Sequence, residues 1–149
     1  AMINDREQWL RYNDVQIHWD KPSEPVMALG EAAGLRIIIT NLLRNAVEAV
    51  ASQTKERRLV SVAIGPGTTI VIHDSGPGIS DAVMKTLFEP FTTTKSGGVR
   101  GIGLSLAKVS AARMGGELSV TSAIGSGATF TLRLLAPHET SSLQIPDLS

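Results

Sequence analysis

The stretch Leu35–Val50, LRIIITNLLRNAVEAV, constrains the fold more than any other part of the chain. Its apolar residues recur at steps of three and four, which is the period of a helix with one buried face. The predicted buried stripe consists of Ile39, Leu42, Leu43, Ala46 and Val50. Asn41 and Asn45 are four residues apart and therefore share an adjoining face of that helix. Their carboxamide oxygens suit a hard cation, but an Asn pair taken alone favours a simpler interpretation, in which both residues are capping or polar groups at the rim of a core.

Composition excludes several classes of protein. With 149 residues the chain is long enough for one domain with a hydrophobic core. Lys+Arg and Asp+Glu number 14 each, so bulk charge points neither to nucleic acid nor to an anionic membrane. The absence of cysteine rules out disulfides, thiolate metal sites and a cysteine nucleophile. No apolar run approaches the ~20 residues of a membrane helix and no secretory signal is visible, so we expect a cytoplasmic domain without membrane contact.

Strands and shorter helices surround the central helix in the predicted order. Residues 1–14 are predicted to be a linker or the end of a preceding helix, with Asn4–Tyr12 helical, and residues 137–149 a flexible tail. The predicted strands are Val15–Trp19, Leu59–Ile64, Thr69–His73, Glu117–Ser122 and Ala128–Leu134. Two further helices are predicted, from Ser80 or Asp81 to Phe88 and over Leu104–Met114. Because two pairs of strands are hairpins, the pattern predicts an α+β domain over residues 15–136, a two-layer sandwich.

A glycine-rich turn, DSGPG, begins at Asp74, directly after the third predicted strand, Thr69–His73. A carboxylate at the rim of a sheet can accept a hydrogen bond from an exocyclic amine such as that of adenine. Gly76 and Gly78 allow the backbone to approach a flat ring with no Cβ in the way. An ordinary Asp-Gly-Pro turn fits the same letters, so the segment alone leaves both interpretations open.

A second glycine-rich segment, Glu89–Gly103, ends where a helix is predicted to begin. Free N–H groups and the positive end of the helix dipole favour an anion at such a place. Lys95 and Arg100 lie in the segment and add positive charge. The segment is neither a Walker loop, because it lacks GK[ST], nor a Rossmann fingerprint, because it does not follow a strand. A solvated loop is the alternative interpretation.

Five ordered motifs between about Gly30 and Leu134 resemble a known family: NLLRNAVEA, DSGPGI, LFEPFTTTK, GIGLSLAK and GSGATF. Together they are similar to the catalytic ATP-binding domain of bacterial sensor histidine kinases, within the Bergerat-fold (GHKL) superfamily. The EPFTTTK form resembles the subgroup that includes nitrogen- and dicarboxylate-sensing kinases. The resemblance implies a mixed, mostly antiparallel sheet covered on one face by about three helices.

The resemblance also implies residue roles in binding ATP and Mg²⁺. Asn45 would be the main Mg²⁺ ligand and essential for catalysis, with Asn41 assisting at the metal or the phosphates. Asp74 would bind the adenine amino group, and Lys95 would contact phosphate during catalysis. The other ATP-binding residues implied are Arg44, Gly76, Gly78, Ile79, Phe91, Thr94, Arg100, Gly101, Gly103, Leu104 and Thr129, with Phe88 and Phe91 anchoring a lid over Thr92–Arg100.

The implied activity is transfer of the γ-phosphoryl of ATP to a histidine on a separate dimerisation domain. None of His18, His73 and His138 stands in the helical H-E-[apolar]-[basic or Asn] setting of a phosphoacceptor. The implied partners are therefore ATP, the dimerisation domain of the same kinase and, through the full-length protein, a response regulator. The chain itself is expected to be monomeric, and the resemblance leaves open an inner-membrane anchor in the parent protein.

Three other functions share this fold and remain alternatives. A clamp ATPase of the gyrase, mismatch-repair or chaperone kind needs a glutamate one helical turn before the metal-binding asparagine. Asn41 occupies that position and is a poor general base. An anti-sigma serine kinase and a catalytically silent nucleotide-binding module are the other two. In one departure from the family, Val99-Arg100 stands where Gly-Thr is frequent, just before GIGLS.

Overall fold

A computed structural model describes residues 7–12, 14–20, 22, 26–65, 67–90 and 103–137. Its strands are β1 (Glu7–Tyr12), β2 (Val15–Asp20), β3 (Leu59–Gly65), β4 (Thr69–Asp74), β5 (Glu117–Ser122) and β6 (Ala128–Arg133). Its helices are α1 (Ala32–Val50), α2 (Asp81–Met84) and α3 (Gly103–Arg113), with a short 3-10 turn at Lys55–Arg57. The strands form one six-stranded sheet in the order β1-β2-β3-β4-β6-β5.

The sheet is mixed but mostly antiparallel. β2 and β3 are parallel neighbours, joined by a crossover that contains α1. Every other neighbouring pair is antiparallel, including the predicted hairpins β3–β4 and β5–β6. The predicted α+β sandwich is therefore confirmed. No helix in the described ranges is both long and apolar enough to cross a bilayer.

α1 supplies the largest helical share of the core. Its fully buried residues are Ile38, Leu42, Ala46 and Val50, which recur every four residues. The predicted buried stripe included Ile39 and not Ile38. In the structure Ile38 is fully buried, and Ile39 and Leu43 are half-buried against the same core. The difference arises because α1 is covered by α3 as well as by the sheet, which widens and rotates the buried face.

The helix predicted over Asn4–Tyr12 is wrong, since Glu7–Tyr12 forms strand β1 at the edge of the sheet. β1 pairs antiparallel with β2, and the pair Tyr12↔Val15 closes the hairpin. Asp14, in the two-residue turn, adopts a φ of 60°, a conformation that aspartate tolerates better than most side chains. Pairing with β2, a contact distant from any local helical preference, decides the structure of this segment.

Terminal residues explain where α2 begins and where α3 ends. Ser80 is the N-cap of α2 and its hydroxyl accepts a hydrogen bond from the Val83 N–H at 3.2 Å. α2 is shorter than predicted and continues as turns through Phe88. α3 ends before Gly115, whose φ of 72° turns the chain out of the helix toward β5.

Candidate functional site

Asp74, the last residue of β4, is almost completely buried, with 2% of its surface exposed, and is the one such charged residue among those whose burial the structure describes. Strand register places it between Val60 and Ala128, on the sheet face that packs against the helices. Its Oδ1 accepts a hydrogen bond from the Gly76 N–H at 2.9 Å. A buried carboxylate is costly unless it has partners, and this bond fixes the orientation of the side chain at the rim of the sheet.

The loop after Asp74 passes close to α1. A Cβ built at Gly76 would lie 2.8 Å from Asp74 Oδ1 and 2.9 Å from the Ala49 carbonyl oxygen, so only glycine fits there. Ala49 is one helical turn beyond Asn45 and two turns beyond Asn41, which places all three on one face of α1. The loop that carries Asp74 therefore meets the C-terminal end of the asparagine-bearing face.

The other end of that face meets the start of α3. A Cβ at Gly103 would lie 3.0 Å from Asn41 Oδ1, and Asn41 Nδ2 donates to the Ile37 carbonyl at 2.8 Å. Since the amide nitrogen of Asn41 is already bonded to its own helix, its oxygen is the atom directed toward α3. Asn41 and Ala49 are eight positions apart, which corresponds to a rise of about 12 Å along the helix axis. One face of α1 thus runs from the N-terminal end of α3 to the Asp74 loop.

The Asp74 loop is also interlocked with the turn between β5 and β6. Gly78 has a φ of 86°, and a Cβ there would lie 2.2 Å from the Ala123 carbonyl oxygen. Gly127 has a φ of 74°, and a Cβ there would lie 1.9 Å from the Asp74 carbonyl oxygen. The Gly125 N–H donates to the Pro77 carbonyl at 2.8 Å. These backbone approaches explain why glycines stand at both positions.

Two serine side chains hold the same loop from either side. On one side, the Ser75 hydroxyl accepts from the Leu59 N–H at 2.9 Å and donates to the Arg57 carbonyl, while the Ser75 N–H donates to the Leu59 carbonyl at 3.0 Å. On the other side, the Ser122 hydroxyl accepts from the Ile79 N–H at 2.8 Å and donates to the Gly127 carbonyl at 2.6 Å. The loop is therefore tied to β3 and to the β5–β6 turn at once.

Phe88 packs at the end of the segment that follows α2. Its ring meets the core residue Phe130 edge to face, with centroids 6.4 Å apart. Lys108 of α3 places its Nζ 4.4 Å from the centroid of the same ring. Phe88 thus connects this segment to both the sheet and α3. Its expected role as an anchor of the lid stays a prediction, because Thr92–Arg100 lies outside the described residues.

Thr129 does not join this constellation. Successive residues of a strand point to opposite faces, and Ala128 and Phe130 are the buried ones. Thr129 is opposite His73 on the other face, where its Oγ1 lies 2.8 Å from His73 Nδ1. Thr129 therefore lies on the opposite face of the sheet from Asp74, whereas Ala128, the partner of Asp74 in the ladder, shares its face. The role of Thr129 at the adenine end stays a prediction, which this placement does not favour.

The other predicted site residues divide into three groups. Asn45 is half-buried on the same face of α1 as Asn41, and Arg44 is exposed beside it. Ile79 and Leu104 are half-buried, and their side chains pack against the hydrophobic core. Five of the predicted residues lie outside the described residues: Phe91, Thr94, Lys95, Arg100 and Gly101.

Sequence reasoning missed the residues that support the site rather than line it. Ser122 contacts the Asp74 loop, yet its sequence context is that of an ordinary strand residue. Ala49 and Ser75 were identified only as letters of the NLLRNAVEA and DSGPG motifs, without the contacts that they make. Gly127 was identified only as a letter of the GSGATF motif, and its contact with Asp74 requires the β4–β6 pairing to be known. Such contacts join segments that are distant in sequence, which is why spacing alone gives no signal for them.

Comparisons with known proteins show the family of the chain. A family model described as "Histidine kinase-, DNA gyrase B-, and HSP90-like ATPase" matches residues 30–138. The C4-dicarboxylate transport sensor protein DctS of Rhodobacter capsulatus is 41% identical over 105 residues, which is 68% of this chain and 16% of that protein. The chain therefore spans only about a sixth of that relative's length.

Two solved structures are similar in fold and sequence. The mycobacterial sensor histidine kinase MprB matches with a TM-score of 0.57 and 28% identity, over 72% of this chain and 76% of that one. Full-length ShkA in complex with AMPPNP matches with a TM-score of 0.59 and 27% identity, over 75% of this chain and 24% of that one.

Proposed function

Because the chain belongs to the family of histidine kinase-, DNA gyrase B- and HSP90-like ATPases, we propose that it is the ATP-binding catalytic domain of a two-component sensor histidine kinase. In this role it transfers the γ-phosphoryl of ATP to a histidine on a separate dimerisation domain, in the cytoplasm, where ATP is supplied. The observation that carries the proposal is the single face of α1 that connects the buried Asp74 loop with the N-terminal end of α3.

The base of ATP is assigned to the Asp74 end of that face. The carboxylate of Asp74 accepts a hydrogen bond from the exocyclic amine of adenine. Guanine presents a carbonyl oxygen at the corresponding position, and two acceptors facing each other repel, so the site selects against it. Gly76 and Gly78 carry no side chain to obstruct the ring.

The phosphates are assigned to the Asn41 end of the face. The N–H groups in the first turn of a helix and the positive end of its dipole favour an anion, and this supports phosphate binding at the start of α3. Gly101 and Gly103 bring this backbone close to the phosphates, and Arg44, Lys95 and Arg100 supply positive charge. Positioning and charge stabilisation account for most of the catalysis of phosphoryl transfer.

Mg²⁺ fits the donor groups at the same end. The cation takes oxygen ligands, and the carboxamide of Asn41 has its nitrogen bonded to α1 and its oxygen directed away from the helix. Asn45, one turn along the same face, is assigned as the principal ligand. When bound, Mg²⁺ neutralises charge on the phosphates.

The partners follow from the same assignment. Within the described residues neither His18 nor His73 is on a helix, since both lie in strands, so the phosphoacceptor is assigned to the dimerisation domain of the same kinase. A response regulator then receives the phosphoryl group through the full-length protein, and the chain by itself is monomeric. Asn41 stands where a clamp ATPase has a water-activating glutamate, which disfavours that alternative.

Transfer to the dimerisation domain tests the proposal. The chain is mixed with the dimerisation domain of its parent kinase and with Mg²⁺ and ATP labelled on the γ-phosphoryl. We expect label on the acceptor that is stable to alkali and lost in acid, as phosphohistidine is, and very little release of inorganic phosphate. Asn45→Ala should abolish labelling, whereas the exposed Thr40→Ala on the same helix should retain it. Rapid phosphate release without acceptor labelling would favour a clamp ATPase.

A further inference from the structure

We propose that Ser122 is a positioning residue for nucleotide selectivity, which rests on the proposed function and extends it to a residue outside the five motifs. Ser122 is the last residue of β5 and is not expected to touch the nucleotide. Its hydroxyl bridges two backbone groups, accepting from the Ile79 N–H at 2.8 Å and donating to the Gly127 carbonyl at 2.6 Å. It therefore joins the two ends of the interlocked loops.

The Ser122 bridge is positioned so that its loss would change the orientation of the Asp74 carboxylate. Ile79 closes the loop that begins at Asp74, and Gly127 lies directly against the Asp74 carbonyl. Within the loop, the Gly76 N–H holds the Asp74 carboxylate at 2.9 Å. A shift of the loop away from the β5–β6 turn therefore changes the direction of the carboxylate that reads the base.

The hydroxyl is difficult to replace because it serves as donor and acceptor together. Removing it leaves an N–H and a carbonyl in a partly buried place without their partner, which favours a displaced loop that recovers them with water. Ser75 and the Gly125–Pro77 bond still hold the loop at other points. The expected consequence is a loop that persists in the fold but presents Asp74 less accurately.

The test compares binding of AMPPNP and of the matching GTP analogue to Ser122→Ala, Ser122→Thr and the unaltered chain. Ser122→Ala should bind AMPPNP roughly 10-fold more weakly, with a smaller loss for the GTP analogue, so that the ratio of the two affinities falls. Ser122→Thr keeps the hydroxyl and should restore the ratio. The exposed Ser119→Ala, on the same strand, should leave both affinities unchanged.

The ratio of the two affinities distinguishes a positioning role of Ser122 from a role in the stability of the fold alone. If Ser122→Ala lowers the unfolding temperature and weakens both analogues equally, the serine is only structural and the proposal is contradicted. Should the alanine variant fail to fold, Ser122→Cys, of similar size but a weak hydrogen-bonding group, provides the same comparison. If the unaltered chain does not bind AMPPNP, the proposed function itself fails. AMPPNP binding with an unchanged ratio in the Ser122 variants contradicts this inference alone.

Discussion

At the scale of single residues, the fold itself fixes the orientation of the Asp74 side chain. The carboxylate is buried at the end of a strand and already bonded to the Gly76 N–H. Its orientation is thus set by a neighbour two residues away, at no further entropic cost when a ligand binds. The sequence motif identified this residue because a strand, a carboxylate and two glycines follow one another closely. The motif did not reveal that Ala128, and not Thr129, shares the face of Asp74, because the strand register decides which of two adjacent residues lies on that face.

Replacement of Asp74 by asparagine should alter which base the domain prefers. The change keeps the oxygen that accepts from Gly76 but removes the charge and offers an amide N–H that can donate to the guanine carbonyl. We expect affinity for AMPPNP to fall roughly 10- to 100-fold and the preference for adenine over guanine to shrink or reverse. Calorimetric titration with both analogues measures it, with the exposed Asp20→Asn as control. An unchanged preference would show that Asp74 does not read the base.

At the scale of elements, the interlock between the Asp74 loop and the β5–β6 turn yields a matched pair of glycine substitutions. Gly125 and Gly127 have φ values of 86° and 74°, so alanine suffers similar backbone strain at either position. At Gly125 nothing lies within 4 Å of a built Cβ, whereas at Gly127 the Asp74 carbonyl oxygen is 1.9 Å away.

We therefore expect Gly125→Ala to cost about 1 kcal/mol of unfolding free energy and Gly127→Ala about 3 kcal/mol or more. Denaturant unfolding of the two variants measures the difference. Only Gly127→Ala should also weaken AMPPNP binding, because it displaces the strand end that carries Asp74. Equal costs would mean that the turn is not packed against Asp74 as described.

The elements also show where local sequence is sufficient and where it is not. α1, β3, β4 and the closing hairpin were predicted because each has a clear period and ends at glycine, proline or a polar cluster. β1 was not, since Glu7–Tyr12 has no apolar alternation and becomes a strand only by pairing with β2. The choice of Ile38 over Ile39 likewise depends on α3, which is more than sixty residues away in the chain.

At the scale of the whole molecule, two helices and the C-terminal end of β4 meet around the proposed site, which no single element contains. α3 runs antiparallel to α1, with Gly103 beside Asn41 at one end and Met114 beside Gly30 and Gly34 at the other. This packing brings the N-terminal end of α3, the proposed phosphate site, to Asn41, while the sheet brings Asp74 to the opposite end of the same helix face. The order of motifs along the chain was sufficient to predict the family, but the arrangement across α1 required the tertiary structure.

Calorimetric titration of the unaltered chain with AMPPNP, with and without Mg²⁺ and beside the matching GTP analogue, tests the central claim most directly. The account predicts saturable binding that Mg²⁺ strengthens and that strongly favours adenine, because Asp74 reads the base and the asparagines face the phosphates. Equal affinity for the two analogues, or affinity indifferent to Mg²⁺, would contradict the assignment of the two ends of the α1 face. A chain that binds neither analogue would contradict the proposed function as a whole.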